Sequence, residues 1–349
     1  MTTRFRAAVG GANGMAGGEV LRILAAHPSV GVSCAVSRSR SGQPVWHAHP
    51  HLRSAFPELV FSAPEEALER EADVAFLALP HGTAQPLIKA YLDRGGKVAD
   101  LSADVRLRSA SDYRRWYGAP PLHPELLERA VYGLPELHRE ALRGASLASG
   151  VGCNASCSIL GLYPLARAGL VGEARIEVRV GSSEAGAAPT VGSHHPYRSR
   201  TLRVYEAFRH RHLAEILQEL DLSEDRVTLT MTAVEMIRGV QMIAQVSLSR
   251  SVREAELWKL YRAAYADEPF VSLCPARPSH LRLPDPKLLT GSNRVLTGFS
   301  LHEDGRRLLV VCALDNLMKG AAGSAVQSAN LMLGLPEGEG LGMLPVYPA

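Results

Sequence analysis

The chain has 349 residues, enough for two domains of ordinary size, each able to bury a core. Hydrophobic residues make up 46% and charged residues 21%, a balance that excludes disorder as the main state. A net charge of +3 is too small a bias to argue for nucleic acid, and the longest apolar stretches, such as 72–80, fall well short of the ~18 residues of a membrane span.

The first six residues lead into a strand without the apolar core of a signal peptide, so a cytoplasmic location is expected. Residues 5–9 read as that strand, 10–14 as a glycine turn, and 15–26 as a helix with Ala16, Val20, Ile23 and Leu24 at helical spacing. Strands follow at 30–36 and 73–79, the latter a near-continuous apolar run of the kind buried parallel strands show. A helix over 83–91, stopped by Gly95-Gly96, and a strand over 97–101 extend the alternation, which implies an open, mostly parallel α/β domain.

Near Gly150 the pattern changes. After a helix over 154–168, the segments 175–180, 227–232 and 239–248 alternate with period two, and Ser251-x-x-Glu254 reads as a capping box opening a long helix. Residues 295–301 and 308–314, joined through Glu303-Asp304-Gly305, form a hairpin signal. An α+β second domain is expected, followed by an Ala/Gly/Ser-rich helix over 320–333 and an irregular Gly/Pro-rich tail from Gly334.

Gly11-x-x-Gly14-x-x-Gly17 lies between strand and helix, where glycines permit a tight turn, backbone approach to a diphosphate and close helix packing. At the end of the second strand, where an NAD site offers a carboxylate to the ribose, the chain reads Ser37-Arg38-Ser39-Arg40. Hydroxyls and a guanidinium suit a 2′-phosphate, so NADP(H) is preferred; the plainer alternative is a solvated basic loop.

The five cysteines, Cys34, Cys153, Cys157, Cys274 and Cys312, are odd in number and widely spaced, with no C-x-x-C pair, which argues against a disulfide framework or a zinc site; no metal is expected. Cys153 follows Gly150-Val151-Gly152 at a predicted helix start. A thiol there feels the positive end of the helix dipole, which favours the thiolate, and the adjacent N–H groups can hold an oxyanion. Cys157 reads as packing one turn along, Cys34 and Cys312 as core, and Cys274 has no assigned role. Among thirteen histidines, His210 and His212 are the candidate partners for the thiolate, and the residues alone do not choose between them. The segment 194–212 carries Arg198, Arg200, Arg203, Arg209 and Arg211 with four histidines and one acid, Glu206; it reads as an anion platform, or more plainly as a solvated loop.

Taken together, Gly11-Ala12-Asn13-Gly14-Met15-Ala16-Gly17-Gly18-Glu19, Leu79-Pro80-His81-Gly82, the run from Asp100 to Leu107, Gly152-Cys153-Asn154-Ala155 and Asp315-Asn316-Leu317-Met318-Lys319-Gly320 resemble, in order and spacing, the N-acetyl-γ-glutamyl-phosphate reductase family over essentially the whole chain. The resemblance implies a Rossmann-like NADP-binding domain over 1–152, a catalytic and oligomerisation domain of the semialdehyde-dehydrogenase type over 153–316, and a C-terminal helix and tail, 317–349, that return to the first domain. It places Cys153 as nucleophile and His212 as acid/base. It places Arg238, Ser182, Arg106 and His194 at the substrate, and Gly11, Asn13, Gly14, Met15, Ala16, Ser37, Arg38, Pro80, His81, Ser102, Asn316 and Gly320 at the cofactor.

Where the acetylglutamyl enzymes commonly read Ser-Gly-Ala-Gly-Arg, this chain has Ser182-Ser183-Glu184-Ala185-Gly186-Ala187-Ala188-Pro189, then Ser193-His194-His195-Pro196. That is similar to the lysine-biosynthesis branch, which reduces aminoadipyl phosphate on a small acidic amino-group carrier protein, and the basic segment fits such a partner. The resemblance also implies a homo-oligomer, dimer or tetramer. The arginine-biosynthesis reductase, an aspartate-semialdehyde dehydrogenase and a non-catalytic NADP-sensing protein are the alternatives; the last would leave Cys153 without a purpose, as would a dehydrogenase pairing NAD with a 2-hydroxy acid.

Overall fold

The computed structural model describes residues 3–67, 70–275 and 277–348; Met1, Thr2 and Ala349, which belong to the expectations for the two ends, lie outside them. The chain forms two compact units, 1–151 with 321–343, and 152–320 with 344–349.

The first unit is built on strands β1 Phe5–Gly10, β2 Val30–Val36, β3 Phe61–Ser62, β4 Val74–Leu77, β5 Lys97–Asp100, β6 Val131–Tyr132 and β7 Leu147–Ser149. They form one sheet in the order β3-β2-β1-β4-β5-β7-β6. Every pairing is parallel, the arrangement that near-continuous apolar strands such as the fully buried Val74–Leu77 require. This is the doubly wound order, in which the chain reverses direction across the sheet beside β1 and leaves a crevice at the strand C-termini. Helix Gly323–Met332 belongs to this unit and is buried throughout. It begins after a π-helical turn, Met318–Ala322, so the α-helix starts later than the expected Gly320. Its Asn330 donates to the Glu337 and Glu339 carbonyls and shares a 3.1 Å hydrogen bond with the His27 ring, and Arg139 grips Glu337 through both guanidinium arms.

The second unit carries β8 Val171–Val180, β9 Leu202–Ala207, β10 Val227–Val234, β11 Val240–Leu248, β12 Val271–Leu273, β13 Val295–Leu301 and β14 Arg307–Leu314. They form a mixed sheet in the order β12-β13-β14-β11-β8-β10-β9. The predicted hairpin is the antiparallel β13–β14 pair. The expected capping box is not formed: the N-cap of helix Glu254–Tyr265 is Arg253, without a side-chain cap, and the Ser251 hydroxyl turns instead toward the Asp304 carbonyl. Gly305, at φ +68°, closes that turn tightly against Ser251 and so draws the hydroxyl away from the helix.

Helix Cys153–Arg167 packs on this sheet closely enough that a Cβ at Gly161 would fall 2.2 Å from Met242 Cε and 3.0 Å from Cys312 Cβ. Pro164, inside the helix, has no N–H to offer the Leu160 carbonyl, and the hydroxyl of Tyr265 donates to that carbonyl in its place. Tyr265→Phe leaves this buried acceptor unmade and should lower unfolding free energy by about 1–3 kcal/mol in urea titrations; an unchanged midpoint would show that the carbonyl has another partner.

Candidate active site

In the first unit, the glycine turn after β1 shows why it must be glycine. Gly11 sits at φ +67°, and a Cβ there would lie 2.0 Å from the Ala78 carbonyl oxygen; one at Gly17 would lie 2.4 Å from the Gly11 oxygen. Gly14 is the N-cap of helix Met15–Leu24 and has extended backbone. Beside this turn is a cavity of about 450 Å³ lined by, among others, Gly11, Asn13, Ser37, Arg38, Leu79 and Pro80. Ser37 Oγ donates to Asn13 Oδ1 at 2.9 Å, joining the turn to the end of β2. Five of the expected cofactor residues, Gly11, Asn13, Ser37, Arg38 and Pro80, therefore share one cavity, whereas Gly14, Met15 and Ala16 sit at the start of the adjacent helix and His81 and Ser102 lie off its lining.

His81 and Ser102 belong to a network around two buried carboxylates. Asp104 accepts from the N–H groups of Gly82 (2.6 Å) and Ala84 (2.7 Å) and pairs with His81 Nδ1 at 2.9 Å. Asp100 accepts from Ser102 Oγ at 2.8 Å; burial pushes its carboxyl up to about 7 against the pull of those hydrogen bonds. Arg106 Nε donates to the Ser102 carbonyl at 3.0 Å, which ties the side chain to its own loop.

In the second unit, Cys153 is the first residue of its helix, Gly152 is the N-cap, and of the five cysteines only Cys153 is not buried. Cys157 packs against the sheet, its Sγ 3.2 Å from the Cys312 carbonyl oxygen. Two glycines press on the Cys153 position. A Cβ at Gly320 would lie 2.5 Å from Cys153 Cβ, and one at Gly152 would lie 2.6 Å from both Cδ2 and Nε2 of His212. The His212 ring thus lies against the residue preceding Cys153. Glu215, one turn along helix His212–Leu220, is fully buried; it accepts from the Gly152 N–H at 2.8 Å and stands 3.9 Å from His212 Nε2. One carboxylate therefore holds the helix cap and lies beside the imidazole.

Cys153 Sγ donates to Asn154 Oδ1 at 3.6 Å, and Asn154 Nδ2 donates to Glu184 at 2.6 Å. Glu184, on the short turn Ser182–Ala185, thereby sets which end of the Asn154 amide faces the thiol. Burial pushes the Glu184 carboxyl up to about 7, opposed by the Asn154 hydrogen bond and by Arg211 and Arg198. His210 adjoins this group, its ring edge-to-face with His212 at 4.5 Å between centroids.

Asn316 is clamped in the same unit: its Nδ2 donates to Ser183 Oγ and its Oδ1 accepts from the Gly239 N–H, each at 2.8 Å. Arg238 pairs with the buried Asp315 at 3.2 Å. Ser182 lines a cavity of about 320 Å³ together with Glu184, Arg198, Arg203, Tyr205 and His210, while His194 is exposed and outside that lining. The basic segment is divided. Arg198 is half-buried and donates to the Val180 carbonyl at 2.8 Å, but Arg200, Arg203, Arg209 and Arg211 are exposed, around the edge strand β9.

The chain matches the family profile described as "Semialdehyde dehydrogenase, NAD binding domain" over residues 6–145 and that described as "Semialdehyde dehydrogenase, dimerisation domain" over 153–316. It is 44% identical to a LysW-L-2-aminoadipate/LysW-L-glutamate phosphate reductase of Cenarchaeum symbiosum, across 99% of this chain and 100% of that protein. It is 45% identical to a LysW-L-2-aminoadipate 6-phosphate reductase of Thermomicrobium roseum, across 98% of each. The chain belongs to this phosphate reductase family, within the semialdehyde dehydrogenases. Solved structures share its fold at low identity: aspartate semialdehyde dehydrogenase II of Vibrio cholerae (TM-score 0.70, 15% identity, 95% of this chain and 99% of that one) and the Candida albicans aspartate semialdehyde dehydrogenase with NADP (TM-score 0.70, 17% identity, the same coverage). In this family member, no helix among the described residues is long and apolar enough to cross a membrane.

Two residues at the site of this reductase family member have no assigned role in the sequence reading: Glu215 and Glu184. The first left a signal, since it stands three residues after His212, the spacing that puts two side chains on one helix face. Glu184 was visible only as a departure in a motif; its approach to Asn154 depends on a turn thirty residues away.

Proposed function

We propose that the chain reduces an amino-acid acyl phosphate to the semialdehyde with NADPH, and that its substrate is 2-aminoadipate 6-phosphate borne on a small acidic carrier protein, in lysine biosynthesis. The observation that carries the reaction class is Cys153: a partly exposed thiol on the first turn of a helix, hydrogen-bonded to Asn154, with the His212 ring packed against its preceding residue. The names of the relatives support the substrate, and the exposed arginines beside β9 support the carrier. Residues 1–151 with the returning 321–343 serve as the cofactor domain, and 152–320 with the last residues of the tail, which join that second unit rather than the first, serve catalysis and assembly into a dimer or tetramer; a cytoplasmic location follows from such a biosynthetic role.

The thiolate of Cys153 attacks the acyl carbon; a C–S bond forms, the C–O bond to phosphate breaks, and phosphate departs with that electron pair. Backbone N–H groups in the first turn of helix Cys153–Arg167 hold the oxyanion; that of Gly152 is already engaged by Glu215. Gly11, Asn13, Ser37, Arg38 and Pro80 line a cavity whose glycine backbone admits a diphosphate and whose Arg38 suits a 2′-phosphate, so they would hold NADPH. When bound there, NADPH would supply the hydride for reduction of the thioester. His212, with the Glu215 carboxylate beside its ring to favour the protonated form, donates the proton to the oxygen and takes it back as the C–S bond breaks and the aldehyde leaves. Arg238, fixed by Asp315, and Ser182 bind the substrate.

Cys153→Ser should lower turnover by about a hundredfold or more while leaving NADPH affinity by fluorescence unchanged, because a serine hydroxyl is scarcely ionised near neutral pH; a serine variant with substantial activity would refute the thioester route. Arg38→Ala should raise the Kd of NADPH much more than that of NADH, through loss of a charge-assisted contact to the 2′-phosphate; equal loss of both would make Arg38 a solvated residue. Replacing Arg200 and Arg209 together by Ala should lower kcat/KM for the carrier-bound substrate several-fold and flatten its decline with salt, with little change for a small acyl phosphate; Arg203 is kept because it lines the cavity that holds Ser182. Arg198 is left out because it is engaged with the Val180 carbonyl. Equal losses on both substrates would overturn the docking role.

A further inference from the structure

A donor set of a different kind lies beside the thiol. One nitrogen of His210, one nitrogen of His212 and one carboxylate oxygen of Glu184 all fall within 4.8 Å of one another. We propose that Glu184, His210 and His212 form a binding site for a borderline divalent cation, zinc foremost, and that its occupancy reversibly silences the enzyme.

The chemistry of the donors selects the ion. Two imidazoles and a carboxylate suit Zn²⁺, Co²⁺ or Ni²⁺, whereas Mg²⁺ and Ca²⁺ favour oxygen donors throughout. The cysteine spacing that argued against a zinc site in the sequence does not bear on this set, which contains no cysteine. Tetrahedral ligands at bonding distance from zinc lie roughly 3.4 Å apart, so side-chain shifts of about an ångström close the site.

Glu184 supplies the second observation. Its Oε1 accepts from Asn154, while Oε2 is buried and has no hydrogen-bond partner among the described residues, so the carboxylate carries an acceptor that no donor in the protein satisfies. A buried carboxylate oxygen without a partner is costly, and a bound cation removes that cost. The two histidines come from one short segment and already lie edge-to-face, which limits the ordering needed on binding. Three protein donors leave a fourth position for water.

Silencing rests on the proposed function: an imidazole nitrogen whose lone pair is bound to metal cannot exchange a proton, so His212 is lost to the reaction. The direct test does not depend on it. The chelator-treated full-length protein is titrated with cobalt(II) chloride and read by the visible absorption of a low-coordinate Co²⁺ site, then back-titrated with zinc. One Co²⁺ per chain is expected, displaced by zinc. His210→Ala and Glu184→Gln should each weaken binding about tenfold or more, with circular dichroism confirming the fold, and Cys153→Ser should retain it. No absorption, binding indifferent to both ligand variants, or binding abolished by Cys153→Ser alone would overturn the site, the last by assigning the metal to the thiol. In turnover, stoichiometric zinc should stop the wild type, chelator should restore it, and His210→Ala should need about tenfold more zinc relative to its own metal-free rate. If cobalt binds as described but no acyl phosphate is reduced, the functional reading fails and the site stands; if reduction proceeds but cobalt does not bind, the site alone fails.

Discussion

Close contact at the start of helix Cys153–Arg167 is the constraint on which the site depends. Three glycines set it: Gly152 against the His212 ring, Gly320 against Cys153 Cβ, and Gly161 against the sheet at Met242 and Cys312. At each, one added carbon would overlap neighbouring atoms by an ångström or so, and packed interiors resist such displacement. The helix cannot slide, so the thiol, the first-turn N–H groups and the imidazole keep their relative positions. Positioning of this kind is where a covalent mechanism gains most, since the reacting groups are ordered before substrate arrives.

Buried carboxylates hold this arrangement in place. Glu215 joins the Gly152 N–H to His212, Glu184 orients Asn154, and Asp315 anchors Arg238 while accepting the N–H of Gly291 at 2.7 Å. In the first unit Asp104 does the same for the loop after β4, with Gly82, Ala84 and His81 around it. Asp315 and Asp104 each accept several donors, the condition under which burying an acid is tolerable. Glu184 meets it only in part, since its Oε2 has no hydrogen-bond partner among the described residues.

Local signals were legible in the sequence wherever they repeat or punctuate. Period-two alternation marked β8, β10 and β11, the hairpin turn marked β13 and β14, the apolar run marked β4, and the glycine spacing marked the turn after β1, because each reports on neighbours a few residues away. What stayed hidden depends on distant chain. Ser251-x-x-Glu254 has the composition of a capping box, yet the turn at Gly305 takes the serine hydroxyl. Arg198 belongs by composition to a basic surface, yet it reaches the Val180 carbonyl. The edge strand β9, exposed along nearly its whole length, shows no alternation for a pattern to detect, and so was unrecognised. Cys153 was singled out by its flanking glycines and its place at a helix start, while the reason for those glycines, the Asp100 carbonyl against Gly150 and the His212 ring against Gly152, is a tertiary fact.

The central claim is that Cys153 carries the acyl group before reduction. It is tested most directly by mixing the full-length protein with carrier-bound aminoadipyl phosphate in the absence of NADPH and measuring the intact mass after rapid acid quench, followed by peptide mapping. The account predicts a mass increase equal to the acyl-carrier group, located on the peptide containing Cys153, labile to hydroxylamine and discharged on addition of NADPH. An unmodified protein that nonetheless turns over once NADPH is present, or an adduct on a peptide without Cys153, would contradict it.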